Sequence, residues 1–332
     1  MLAVGCMLCR VISSPAQTFN QGPVFSAIEE NDLLVKTDRH YTQGIKLSYL
    51  GADNRVPVSV SNFSSKIPAL KFDVHALRLG VEIGQNIYTP ADLTTDKPLP
   101  NDRPYAGWFY TGLTLQRRGL SPKRKTVTLE NFQIDLGIIG PESLANESQT
   151  WVHEIRGFPL PHGWRNQIKD EPGLVLKYER SWRFSPTNSN TWGIDFIPRF
   201  GFSLGNVETS GRIGAMTRFG WHLPDDFGPQ IIDSITTPEG GLSKSSPGAR
   251  WGCHIFAGVQ GKVVGYSTLL DGNLFQNSPH VQKETLVAEF TGGIVLVLNP
   301  VEFGFSYVHR SREFATQSEP DGFGSVFIRG RF

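Results

Sequence analysis

"LVLKYERSWRF", residues 174–184, decides the fold class. Leu174, Leu176, Tyr178, Trp182 and Phe184 share one parity, and Val175, Lys177, Glu179, Ser181 and Arg183 take the other. A period of two marks a strand with one apolar and one largely polar face. The pattern recurs in residues 192–204. There Trp192, Ile194, Phe196, Pro198, Phe200, Phe202 and Leu204 alternate with Gly193, Asp195, Ile197, Arg199, Gly201 and Ser203. In residues 301–309, Val301, Phe303, Phe305 and Tyr307 oppose Glu302, Gly304, Ser306 and Val308.

A soluble sandwich also alternates, but three features predict a membrane barrel. The strands run to about ten residues or more, as tilted spanning strands must. The polar parity carries charges in midstrand, which suits a polar lumen. The chain ends in "GSVFIRGRF" (324–332), alternating and finishing on Phe332. Strands are expected near 24–33, 40–50, 74–86, 104–117, 125–139, 173–185, 191–204, 208–221, 249–264, 283–298, 300–314 and 321–332. That is about twelve, the even number typical of single-chain barrels. The reading is an all-β transmembrane antiparallel up-and-down β-barrel. No stretch approaches the ~18 apolar residues of a spanning helix.

Composition agrees. The 332 residues include 35 glycines and 11% aromatics, and only 19% are charged, against a typical ~25%. A net charge of +1 gives no general attraction to nucleic acid. Cys6, Cys9 and Cys253 form no disulfide framework. "MLAVGCMLCRVISSPA" holds a short apolar run closed by Ser14-Pro15-Ala16, so residues 1–16 are expected to be a signal peptide and 17–332 the barrel. No Lys or Arg precedes the apolar run, which fits a truncated start.

If the strands run up and down, connections 34–39, 87–103 and 140–172 share one rim. With a periplasmic N-terminus, that rim faces outside the cell. "GGLSKSSPGAR" (240–250) is Gly/Ser-rich and predicts a mobile connection elsewhere.

Three polar clusters fall on or beside the shared rim. Asn31 and Asp32 end one strand and Thr42 begins its hairpin partner. Their oxygens suit a hard cation such as Ca²⁺, although Asn, Asp and Thr also favour ordinary turns. Lys97 and Arg103 flank "PLPND", where they suit phosphate or a solvated loop. In "NESQTWVHEIRG" (146–157) the alternation stops. Gln149 and His153 stand four apart, on one face of a helix expected from Pro141 to Ile155 and ended by Gly157. Leu144, Trp151, Val152 and Ile155 are its apolar residues. His153 suits a general base by type, and His40 and His162 compete with it. There is no HExxH site or phosphate-cradling loop.

The ordered pieces "ENDL" (30–33), "TDRHYTQGIKLSY" (37–49), "NDRPYAGW" (101–108), "LGIIGPES" (136–143), "QTWVH" (149–153) and "GWRNQIKDEPG" (163–173) resemble the outer-membrane lipid A 3′-O-deacylase family, LpxR. They spread over roughly the first half; the second half matches as strand pattern. The resemblance implies a twelve-stranded barrel whose active site lies between the wall and a helix from an extracellular loop. It implies Ca²⁺-dependent removal of the 3′-acyloxyacyl group of lipid A, with a histidine activating water and the cation stabilising the oxyanion. Carried over by motif, the catalytic residues are His153, Gln149 and Asn31, the metal residues Asp32 and Thr42, and the substrate-binding residues Lys97 and Arg103. Gln149 would orient water or the base. The expected partners are lipid A in the outer membrane, with the protein a monomer.

One position departs from the family. Six residues after His153, where a family member carries a glutamate, stands Pro159; Glu154, Asp170 or Glu171 would have to substitute, or that ligand is missing. Two alternatives remain: a non-catalytic barrel acting as a channel or surface-binding protein, and a calcium-dependent phospholipase using Ser148.

Overall fold

The computed structural model describes residues 21–32, 39–122, 126–185, 191–232 and 250–332. The expected signal peptide, Cys6, Cys9 and nearly all of "GGLSKSSPGAR" lie outside the described residues. The strands are β1 (Val24–Asn31), β2 (His40–Leu50), β3 (Asp73–Thr89), β4 (Ala106–Leu120), β5 (Val127–Ile139) and β6 (Glu171–Arg183), then β7 (Trp192–Gly205), β8 (Glu208–Trp221), β9 (Trp251–Ser267), β10 (Leu286–Leu298), β11 (Val301–Arg310) and β12 (Asp321–Arg331). All pair with their sequence neighbours, and β1 pairs antiparallel with β12 to close a twelve-stranded barrel. Closure leaves no unpaired edge, the condition for a sheet to sit in lipid.

The strand ends differ slightly from the pattern reading. β3 reaches Thr89 because it keeps pairing with β2 as far as His40. β11 ends at Arg310, and the next residue, Ser311, bonds back to Ala288. Among the described residues three α-helices interrupt the connections: α1 (Val58–Lys66), α2 (Ala145–Arg156) and α3 (Thr268–Asp271). The expected helix over 141–155 is divided. A 3₁₀ turn at Pro141–Ser143 comes first, and Leu144 at φ 59°, ψ 23° breaks the direction before α2 begins.

The apolar parity faces outward. Leu113, Ile134, Leu174, Phe202, Ile213, Ile255, Ile294 and Phe305 are all exposed and form an apolar belt. At the rim carrying both ends of the described chain, Trp192, Trp221 and Trp251 cluster, with Trp221 and Trp251 stacked at 6.2 Å. Aromatic girdles of this kind mark the membrane interface.

The lumen is polar but filled. Lys177 pairs with Asp135 at 2.7 Å and Arg310 with Glu289 at 2.6 Å, while Arg218 binds both Asp195 and Asp226. After β8 the chain turns into the barrel, where Phe227 and Ile232 pack with Ile28, Met216 and Phe256. The backbone N–H of Ile232 donates to Glu30 at 2.8 Å. Paired charges and an inserted segment thus replace the apolar core of a soluble domain. The belt holds the outer face in lipid, so chemistry on the substrate is left to the rims and the wall.

Candidate active site

The first part of the site comes from the β1–β2 hairpin. Asn31 stands opposite Gln43 and shares the outward parity of Phe25. The β2–β3 register slips between Tyr41 and Gln43, which makes Thr42 an extra residue in β2. Such a bulge re-aims a side chain. Thr42 Oγ1 lies 2.6 Å from Thr89 Oγ1. Asp32 follows β1, and its Oδ2 accepts the Arg39 backbone N–H at 2.6 Å. Asn31, Asp32 and Thr42 are all buried, as oxygen donors beside a protein-bound cation would be.

The second part is α2, which packs on the outside of β3 and β4. Gly107 of β4 makes this possible. A Cβ there would lie 2.0 Å from Ser143 Oγ and 2.4 Å from the Ala145 side chain. Gln85 of β3 fixes the approach by donating to the Ser143 carbonyl at 2.7 Å. At its far end, Arg156 reaches Glu29 of β1 at 3.4 Å. The helix therefore crosses the outer wall from β4 toward β1. Gln149 and His153 lie between these anchors, both buried, on the side facing the wall. The strands α2 contacts are β3 and β4; β3 runs on to Thr89, the hydroxyl neighbour of Thr42, while Asn31 and Asp32 stand on the adjoining β1–β2 hairpin.

Against the usual rule for a soluble helix, the polar residues Gln149 and His153 face the protein. The apolar Leu144, Trp151 and Ile155 face outward, each more than half exposed. On a helix lying against the lipid belt, this arrangement satisfies both sides.

His153 is oriented by the chain that follows it. Gly157 adopts φ 69°, and the N–H groups of Gly157 and Phe158 return to the carbonyls of Glu154 and His153. This paired C-terminal closure needs a left-handed residue, here glycine. It swings the chain back so that the Pro159 carbonyl lies 2.6 Å from His153 Nδ1. A carbonyl only accepts, so Nδ1 carries a hydrogen, and in the neutral imidazole the lone pair is then on Nε2. At position 159 it is thus the backbone oxygen of the proline that meets His153.

Gln149 is oriented too. Trp164 Nε1 lies 2.8 Å from Gln149 Oε1. An indole N–H can only donate, so the carboxamide must present its oxygen to Trp164 and its NH₂ elsewhere. That Nε2 is buried without a protein partner. Trp164 itself packs on Tyr105 at 4.9 Å, in a small core with Ile87, Leu93 and Ala145. Sequence reasoning missed Trp164; the signal was a lone aromatic eleven residues past His153, inside the motif at 163–173.

The remaining candidates lie apart. Lys97 is exposed in the 90–105 connection, beside Asp96, which pairs with Arg165 at 3.0 Å. Arg103 is not brought to the cleft. It is 1% exposed, stacked 4.6 Å over Tyr88 and paired with Glu313 at 3.1 Å inside the barrel mouth. Asp102 accepts the Ala91 N–H, and His40 Nε2 lies 3.2 Å from it. Burial alone would raise the Asp102 carboxyl, but the bonds from His40 and Ala91 hold it below its ordinary range. Asp170 is held by the Glu142 N–H, and Glu171 by Asn206 and the Phe275 N–H, both partners on the β7 and β9 side. Ser148 is half-buried and five residues before His153, about 140° round the helix from it.

A closed barrel of twelve strands with an apolar belt and an aromatic girdle is an outer-membrane protein of the β-barrel class. The chain belongs to the LpxR family: the family model, described as outer membrane protein LpxR, matches residues 1–332. Its fold is similar to that of LpxR from Salmonella typhimurium, with a TM-score of 0.70 at 21% identity, covering 93% of this chain and 100% of that one. The β domain of the Bordetella autotransporter Brka gives a TM-score of 0.42 at 9% identity, covering 94% of this chain and 99% of that one. No curated protein matches the chain.

Gly107→Val should lift α2 from the wall while leaving the barrel closed. The check is limited trypsin digestion of the folded protein in detergent. Cleavage at Arg156 should accelerate severalfold in the variant, with the barrel fragment otherwise intact. Equal digestion rates would mean that Gly107 does not set the docking.

Proposed function

We propose that this protein is a Ca²⁺-dependent lipid A 3′-O-deacylase, a carboxylic ester hydrolase working at the extracellular rim of the outer membrane. The observation that carries the reading is the fixed tautomer of His153, buried between the wall and a helix whose outer face is apolar. An acyl chain in the leaflet would meet the apolar outer face of that helix without leaving the lipid.

In this reading His153 Nε2 takes a proton from water, and the resulting hydroxide adds to the 3′-ester carbonyl. The tetrahedral species collapses by breaking the bond to the sugar oxygen. His153 returns its proton to that oxygen, giving a free sugar hydroxyl and a fatty acid. The Pro159 carbonyl supports the imidazolium by keeping its bond to Nδ1. Gln149 Nε2 is a donor, so it serves the developing oxyanion and has no means of drawing a proton from water. Asn31, Asp32 and Thr42 are oxygen donors of the kind Ca²⁺ takes, and the cation would supply Lewis-acid stabilisation of the same oxyanion. Asp32 is the one carboxylate of the three. A donor set with so little charge fits the weak end of protein Ca²⁺ affinities, roughly 10⁻⁴–10⁻³ M. Lys97, exposed beside the helix-bearing connection, suits the lipid A phosphates. Arg103 is dropped from that role because Glu313 already holds it.

The filled lumen speaks against an open channel. Ser148, turned away from His153, speaks against a serine nucleophile.

Mass spectrometry of lipid A tests the reading. Cells making the protein should lose the mass of the 3′-acyloxyacyl group. His153→Ala should keep the full mass while the barrel stays folded, and a calcium chelator should protect lipid A in the purified assay. Full activity of the His153→Ala protein would remove His153 from the mechanism.

A second variant separates the two roles open to Gln149. Glutamate at 149 can still accept the Trp164 N–H but offers no donor. Gln149→Glu should therefore lower kcat by ~10²-fold with little change in KM, in the range seen when one oxyanion donor is lost. Wild-type kcat in Gln149→Glu would show that Gln149 serves only to hold Trp164.

A further inference from the structure

Three charged residues stand side by side across β4, β5 and β6. Arg117 is opposite Glu130, and Glu130 is opposite Arg180. They share the parity of Leu113, Ile134 and Leu176, all exposed in the apolar belt, so they leave the wall on its outer face. Bare charges there carry a depth-dependent penalty in lipid. Yet Arg117 and Glu130 are each only 1% exposed.

The cover is the chain that follows α1. Arg117 donates through Nη1 to the carbonyls of Ser64 (3.2 Å) and Ile67 (2.8 Å), and through Nη2 to that of Pro68 (3.3 Å). It also pairs with Glu130 at 2.5 Å. Arg180 pairs with Glu130 at 3.3 Å, donates to the Leu70 carbonyl, and lies 4.9 Å from the Phe72 ring centre. The guanidinium groups thus tie down a strap that runs outside the barrel. Its level is that of Trp182, whose ring centre is 5.4 Å from Arg180, near the rim carrying the chain ends.

The far side of the strap is apolar and basic. Val58, Phe63 and Leu70 are among the most exposed apolar side chains of the protein, and Lys66 and Lys71 are exposed beside them. The surface is continuous with the lipid belt, at the height where aromatic residues mark the interface. A soluble partner would have to reach it through the headgroups, whereas phospholipid is already there.

We propose that residues 58–72 form an interfacial anchor seated in the leaflet at the end opposite the catalytic cleft. Val58, Phe63 and Leu70 enter the acyl boundary, and Lys66 and Lys71 meet anionic phospholipid headgroups. The Arg117–Glu130–Arg180 row is the latch that joins the anchor to the wall.

Nitroxide labels test this on the full chain in vesicles of phosphatidylethanolamine and phosphatidylglycerol, with the native cysteines replaced by serine. Labels are placed singly at Phe63→Cys and Leu70→Cys, with Ile83→Cys as the lipid reference and Ser318→Cys as the water reference. Power saturation should show Phe63 and Leu70 more accessible to oxygen than to a water-soluble nickel chelate, as at Ile83. Readings like those at Ser318 would overturn the anchor. In an Arg117→Met background the Phe63 label should gain mobility and water access, while gel mobility without heating reports an intact barrel. An unchanged Phe63 signal there would overturn the latch. The strap lies at the far rim from His153, so acyl release should be unaffected, and neither result bears on the deacylase reading.

Discussion

The close approach of Ser143 and Ala145 to Gly107 is the contact on which the candidate site depends. A barrel wall normally presents side chains to lipid at every outward position. At Gly107 it presents none, and the 3₁₀ turn and the first turn of α2 occupy the space. That fixes one end of the helix on β4, and Arg156 with Glu29 fixes the other near β1. The span between them sets Gln149 and His153 against the wall, and Gly157 then returns the chain to bring Pro159 to the imidazole.

The protein is organised inside out relative to a soluble domain, and the same logic sets each region. In the lumen, charges such as Arg218, Asp195 and Asp226 are tolerated because each is paired and the inserted segment keeps them covered. On the wall, two polar clusters lie under a cover. α2 covers the cleft at one rim, and residues 64–72 cover the Arg117–Glu130–Arg180 row at the other. Both covers turn apolar residues outward. Lipid is the solvent that makes Leu144, Trp151 and Ile155 acceptable on the outside of a helix.

The strands were readable because lipid and lumen impose opposite demands on alternate residues. Leu174, Leu176 and Phe184 against Val175, Glu179 and Arg183 show it without any structure. The stacking of Gln149 and His153 was readable from their spacing, and the family pieces around them indicated which polar cluster mattered. Three features could not be read. The break at Leu144 depends on the tight fit against Gly107, a contact remote in sequence. Arg103 looked like a rim cation, but its fate is set by Glu313, far along the chain. The partner of His153 at position 159 is a backbone carbonyl, which side-chain comparison is blind to. Arg180, standing on an otherwise apolar parity, pointed to the strap only once its neighbours across β5 were known.

The central claim is that lipid is processed outside the wall, beneath α2. Photolabelling tests it most directly. A lipid A analogue with a diazirine on its 3′-acyl chain is irradiated with folded His153→Ala protein in nanodiscs, and adducts are mapped by mass spectrometry. The account predicts adducts on α2 and on outer residues of β3 such as Ile87, lost when unlabelled lipid A competes. Adducts on lumen residues such as Met216 or Phe256, or uniform labelling around the belt, would contradict it.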